Sequence, residues 1–175
     1  MDNYFAFYDL PLSFVINEGA LKKKFYAFSR QYHPDFYTLE SAEKQAEILE
    51  LSTFNTEAYK TLSDFDKRIK YVLEIKAVLG EEGDNKLPQD FLMDMMDLNE
   101  SLIELEIDYD PNAHQKIMTD LQTLENQLFE SVKDILENYQ DEAPPQYDLE
   151  KIKDFYLKKR YFLRVKENLS KFAPL

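Results

Sequence analysis

The chain has 175 residues, 44% of them apolar, with 12 Tyr and 13 Phe to fill a core and a net charge of −13. That length fits one or two small domains. With no cysteine, disulfides, thiolate-bound zinc or iron–sulfur clusters and thiol catalysis are excluded, and three glycines provide no phosphate-cradling loop. The opening Met1-Asp-Asn-Tyr-Phe5 has neither a basic nor a long apolar region, and no stretch approaches 18 uncharged apolar residues. A soluble protein of the bacterial cytoplasm is expected. Residues 1–76 carry 10 Lys/Arg and 12 Asp/Glu; residues 77–175 carry 11 and 22. The acidic second half repels nucleic acid and anionic lipid, so neither nucleic acid nor membrane is an expected partner.

Nearly every segment reads as helix. An aromatic segment from Tyr4 to Leu10 ends at Pro11. Asn17 is placed to cap a helix over 18–32. A loop follows over 33–40. Ser41 caps a second helix, 42–62, with Ile48, Leu51, Phe54, Asn55, Ala58 and Leu62 at helical spacing. Ser63-Asp-Phe-Asp66 fits a capping-box variant opening a third helix, 64–79, with Gly80 at its end. Turn residues and charge concentrate over 80–87, the expected linker between a domain at 1–79 and one at 88–175. Three more helices are expected: 88–106, 111–139 opened by Asp110-Pro111, and 147–171 after the Pro144-Pro145 break. Short loops between three helices predict an antiparallel bundle. The expected fold class is all-α.

The first helix, Leu21-Lys-Lys-Lys-Phe-Tyr-Ala-Phe-Ser-Arg-Gln-Tyr32, has two unlike faces. At about 100° per residue, Leu21, Phe25, Phe28 and Tyr32 share one stripe and Lys22, Lys23, Tyr26 and Arg30 the opposite face. Residues 19–32 hold four cations and no acid. Most charged faces are only solvated, but an acid-free one in a Glu-rich chain points to docking on an acidic protein surface. The helix ends at His33-Pro34-Asp35, since a residue before proline avoids the α region. His33 reads as a loop histidine, a metal ligand or a base. The other histidine, His114, falls on a distant helix, so neither a triad nor a histidine-rich metal site assembles. Asp35 offers a carboxylate that a partner's arginine can grip bidentately.

These residues carry a resemblance. Residues 1–76, with the basic helix ending in Tyr32-His33-Pro34-Asp35, then Phe54-Asn55-Thr-Glu-Ala-Tyr-Lys-Thr-Leu-Ser-Asp64 and Asp66-Lys-Arg-Ile-Lys-Tyr71, resemble a J-domain. The resemblance implies a helical hairpin that docks on an Hsp70-type chaperone, HscA-like or DnaK-like, and stimulates its ATPase. It implies His33, Pro34 and Asp35 as effector residues and Lys22, Lys23, Tyr26 and Arg30 as docking residues. No Gly/Phe-rich linker or cysteine zinc module follows, unlike the general-purpose J-proteins. Asn3-Tyr-Phe-Ala-Phe-Tyr-Asp-Leu-Pro11 and Phe91-Leu-Met-Asp-Met-Met-Asp-Leu-Asn-Glu100 resemble the HscB family, the J-type co-chaperones of iron–sulfur cluster assembly.

The second segment also has a physical reading. On a wheel from Phe91, Phe91, Met95, Leu98, Leu102 and Leu105 share one stripe, and Leu92, Met96 and Ile103 lie at about 100–140°. Either a bundle buries both groups, or the second group is an adaptable Met/Leu surface rimmed by carboxylates. The resemblance implies an IscU-like iron–sulfur scaffold protein bound through Leu92, Met93, Met96, Asp97, Glu100 and Glu104, with Tyr161 joining from the last helix. It implies an L-shaped, non-catalytic co-chaperone that brings scaffold and chaperone together. No cofactor or metal is expected, since no thiolate is present to hold a cluster. Three alternatives stay open at this point: a J-domain adaptor for a different client, an enzyme using His33 and Asp35 as acid and base, and a passive helical protein.

Overall fold

The computed structural model describes residues 3–80, 85–142 and 145–172. Half of the expected linker, 81–84, as well as Pro144 and the three C-terminal residues lie outside the described residues. The fold is all-α, with no strand among the described residues. Two compact units form: Met1–Ile75 with Tyr139–Ala143, and Lys76–Asn138 with Pro144–Leu175.

In the first unit α1 (Tyr4–Phe7) and α2 (Glu18–Gln31) are each opened by an asparagine cap. Asn3 Oδ1 and Asn17 Oδ1 accept from the amides of Ala6 and Ala20, both at 2.9 Å. A 3₁₀ turn over Pro34–Tyr37 leads into α3 (Ala42–Leu62), and α4 (Phe65–Ile75) follows. Phe5, Tyr8, Phe14, Leu21, Ile48, Leu62, Ile69 and Leu73 are buried as its core. Around α1 the rings of Tyr4, Phe7, Phe28, Phe54 and Tyr71 meet edge-on or stacked at 4.5–5.1 Å between centroids. A polar hub crosses this core. Buried Asn55 accepts from the Tyr8 hydroxyl at 2.7 Å and donates through Nδ2 to Ser29 Oγ at 3.0 Å and Phe25 O at 3.3 Å. One α3 side chain thereby ties α1 and α2 to α3. Buried Arg68 donates to the carbonyls of Phe14, at 2.9 Å, and Leu62, and burial lowers its pKa. From far along the chain, Tyr139 packs edge-on against Phe14 at 4.7 Å.

In the second unit α5 (Gln89–Asp94), α6 (Met96–Ile107), α7 (Pro111–Glu130) and α9 (Gln146–Phe172) enclose Phe91, Met95, Leu105, Ile117, Leu121, Phe162, Val165 and Leu169. The short α8 (Lys133–Glu137) precedes α9. Glu125 and Lys166 pair across α7 and α9, and His114 Nε2 lies 3.3 Å from Leu169 O.

Several boundaries differ from expectation. α4 is capped by Asp64, whose Oδ1 accepts from the Lys67 amide at 2.9 Å, while Ser63 closes α3. The capping register is thus one residue later than the Ser63 box. α4 stops at Ile75 rather than 79, because Ala77 turns into the left-handed region (φ 52°) and Val78 is buried. Gly80 caps no helix; its N–H and C=O pair with the Asn85 amide, each at 3.0 Å. The expected helix 88–106 bends at Met95 (ψ 2°). Its i→i−4 bonding continues through Met95 N–Phe91 O at 3.1 Å, so the buried stripe keeps its line. The expected helix 111–139 ends early, at Glu130. There the Ser131 hydroxyl takes the Leu128 carbonyl at 2.7 Å, a side-chain bond that competes with the helical ladder.

Candidate functional site

The first candidate surface is built by α2, the 3₁₀ turn and the start of α3. Leu21 is buried, Phe25 stacks on Tyr59 at 4.2 Å, and Phe28 packs on Phe7 at 5.0 Å. That seats the apolar face, so Lys22, Lys23, Tyr26 and Arg30 stand together in solvent on the other. The fourth cation is used locally. Lys24 Nζ donates to the carbonyls of Tyr8 and Asp9, the latter at 2.9 Å, and lies 3.5 Å from the Asp9 carboxylate. It thereby fixes the left-handed corner at Asp9 (φ 47°).

The turn after α2 is held from both sides. The Tyr37 hydroxyl donates to Gln31 O at 2.8 Å, and Gln45 of α3 donates to Glu40 O at 2.9 Å and Thr38 O at 3.3 Å. Pro34 occupies the first turn position, where its missing N–H is harmless. His33 Nδ1 accepts from the Asp35 amide at 3.3 Å. In the neutral ring that assignment leaves the proton on Nε2 as a donor. The Asp35 carboxylate stands 3.7 Å from Nδ1. Both side chains are open, 51% and 82% exposed, and enclose no reacting atom. The arrangement presents one N–H donor and one carboxylate on a braced turn beside a cationic face. Phe36, which the sequence reading passed over, stands 74% exposed with its ring 5.5 Å from that of His33. Its signal in sequence was a phenylalanine, with no polar group of its own, directly after His33-Pro34-Asp35.

The second candidate surface lies on α5 and α6, which present three faces. Phe91, Met95 and Leu105 are buried, with Leu98 and Leu102 packed beside them. Leu92, Met93 and Met96 are exposed by 43%, 61% and 55%. Of the two readings of this segment, then, the bundle buries the first stripe and leaves Leu92, Met96 and Ile103 in water. A groove of about 1010 Å³ runs between α6 and α7, rimmed by Asp94, Asp97, Glu104, Asp108, Asp110 and Asp120. Asp97 and Glu104 belong to that rim, and Glu100 is exposed beside them. On the opposite flank the Tyr161 hydroxyl of α9 donates to Asn99 Oδ1 of α6 at 2.9 Å, and its ring meets Phe91 edge-on at 5.4 Å. The structure therefore gathers Leu92, Met93, Met96, Asp97, Glu100 and Glu104 onto one helix pair and fixes Tyr161 at its edge. The described residues contain no cluster of three or more His, Asp or Glu side chains placed to hold a metal. None of their helices is long and apolar enough to cross a membrane.

Comparison with known proteins bears on both units. The family model for the HSCB C-terminal oligomerisation domain matches residues 87–170. The co-chaperone protein HscB homolog of Paraburkholderia phymatum is 27% identical over 143 residues, 81% of this chain and 82% of that one. The human iron–sulfur cluster co-chaperone protein HscB is 27% identical over 175 residues, covering 99% of this chain and 70% of the relative. The crystal structure of the human protein superposes with a TM-score of 0.76 over 99% of this chain and 83% of the other, at 27% identity. HscB from Vibrio cholerae, at 22% identity, shares the fold with a TM-score of 0.77 over 97% of this chain and 96% of the other. The fold is that of a J-type helical hairpin and a helical bundle. In sequence and in fold the chain is similar to the HscB co-chaperones.

Proposed function

We propose that the protein stimulates the ATPase of an Hsp70-type chaperone through His33-Pro34-Asp35 and delivers to it the scaffold protein on which iron–sulfur clusters are assembled. The observation that carries this reading is the braced, solvent-open His-Pro-Asp turn beside Lys22, Lys23, Tyr26 and Arg30. A cationic face steers association with an acidic partner, and the turn then offers a donor and a carboxylate for short-range fit. The exposed Leu92, Met93 and Met96 beside Asp97, Glu100 and Glu104 suit a client with an apolar patch and a basic rim. The human relative's name places that protein in iron–sulfur cluster work, which favours the cluster scaffold as client.

The chain itself catalyses nothing in this reading. It holds chaperone and client on one polypeptide, which makes their encounter intramolecular. The bacterial relatives favour the bacterial cytoplasm as its place of action. The test is steady-state ATP hydrolysis by the Hsp70-type chaperones of the source cell, with wild type and with His33→Gln, with and without scaffold. Stimulation that vanishes in His33→Gln and is synergistic with scaffold is the expected result. Stimulation without synergy replaces the client; no stimulation of any chaperone removes the reading.

A further inference from the structure

The exposed apolar line on α5 and α6 continues beyond Met96. Ile103 and Ile107, 57% and 81% exposed, follow Leu92 and Met96 at spacings of i+11 and i+15 from Leu92, which brings all four onto one side. The line spans roughly 22 Å at 1.5 Å rise per residue. Folding gives no reason for it. Exposed isoleucines gain nothing from burial, and a β-branched residue is a poorer helix former than Ala, Glu or Lys at the same place. They suit a binding face better: the χ1 angle of a helical Ile is already nearly fixed, so covering it loses little side-chain entropy. The flexible methionines occupy the other end, where a surface can adapt.

Midway, Asn99 is bonded to Tyr161, which seats α9 along this flank. Asp97, Glu100 and Glu104 stand in solvent along the neighbouring arc of α6. We infer that the docking surface for the scaffold protein runs the whole length of α6, with Ile103 and Ile107 as its second pair of anchors, and that it receives an apolar strip flanked by basic side chains. This rests on the scaffold-binding reading above and adds residues to it.

The test is calorimetric titration of the purified full chain with purified scaffold protein. Four forms are compared: wild type, Leu92→Ala with Met96→Ala, Ile103→Ala with Ile107→Ala, and Leu163→Ala. Leu163 is 50% exposed on α9, apart from the line, and serves as an apolar control. The isoleucine pair is expected to weaken binding by roughly tenfold or more, as the Leu92/Met96 pair does, with Leu163→Ala unchanged. Replacement by Leu at both isoleucine positions restores binding. Circular dichroism and chaperone stimulation without scaffold stay at wild-type values, which separates lost docking from lost folding. If the Leu92/Met96 pair weakens binding and the isoleucine pair stays within about twofold, the extension is wrong and the scaffold reading stands. Equal loss in Leu163→Ala also overturns the extension. If wild type binds no scaffold, both fall.

Discussion

Removing the Asn55 side chain tests whether the hairpin beneath the His-Pro-Asp turn is held by one buried amide. Asn55 is 1% exposed, and its side chain makes three hydrogen bonds, to Tyr8, Ser29 and Phe25. In Asn55→Ala all three are lost. The Tyr8 hydroxyl keeps an acceptor, the Asn55 backbone carbonyl at 2.8 Å, and Ser29 Oγ keeps its own bond to Phe25 O at 2.8 Å, so no donor there is stranded. Net hydrogen-bond loss at about 1 kcal/mol each, plus a small cavity, gives a destabilisation of about 2–4 kcal/mol. Asn55→Asp should cost at least as much, because a buried carboxylate would face the Phe25 carbonyl with no N–H to offer it.

The assay is urea unfolding followed by amide hydrogen exchange on α2 and α3, since two units need not melt as one transition. Protection of α2 and α3 amides should fall, while α7 and α9 amides of the other unit keep theirs. A cycle with Tyr8→Phe should return a coupling of about 0.5–2 kcal/mol. A loss below about 1 kcal/mol in Asn55→Ala, or equal deprotection of both units, would falsify the hub argument.

Lys22→Glu with Lys23→Glu should slow chaperone association several-fold and flatten its salt dependence, whereas Lys24→Gln should leave the association rate alone and lower stability; stopped-flow kinetics and a melt separate the two. Ala77→Gly should be neutral or stabilising by up to about 1 kcal/mol, and Ala77→Val destabilising, because φ 52° strains any Cβ; thermal melts give the sign. Burial is the leading cause that raises the pKa of Tyr4, Tyr8, Tyr71 and Tyr139 above 10.0. Above that pH the unfolded chain releases protons that the folded unit retains, so stability is full below pH 10 and falls as pH rises further. Chemical unfolding at pH 9 and 11 should show the drop, and Tyr8→Phe should make it smaller.

The first unit was largely legible in the sequence because its signals are local. Asn17, Ser41 and the His-Pro-Asp turn act within a few residues, and the Leu21–Phe25–Phe28–Tyr32 stripe needs only helical spacing to declare a buried face. The same spacing separated the cationic face from it. What spacing could not give was the fate of Lys24, which is set by a backbone corner at Asp9 that approaches only after folding. The Tyr8–Asn55–Ser29 network likewise joins three helices distant in sequence.

The second unit shows where periodicity ends. The wheel over Phe91 to Leu105 named the buried stripe, but two apolar groups were equally able to face a core, and only the positions of α7 and α9 decided that Leu92, Met96 and Ile103 stay outside. Ile107 lies beyond the expected helix end at 106, outside that wheel. The bend at Met95 has no Pro or Gly to announce it, and the break at Ser131 comes from a local hydroxyl–carbonyl bond that a serine in a helix need not make. Sequence by itself determined the all-α class, the turn and the charged faces, because each follows from side chains within a few residues of one another. Which apolar face is covered, which cation is free and where the long helices bend depended on partners brought together by tertiary packing, whose free energy outweighs local propensity.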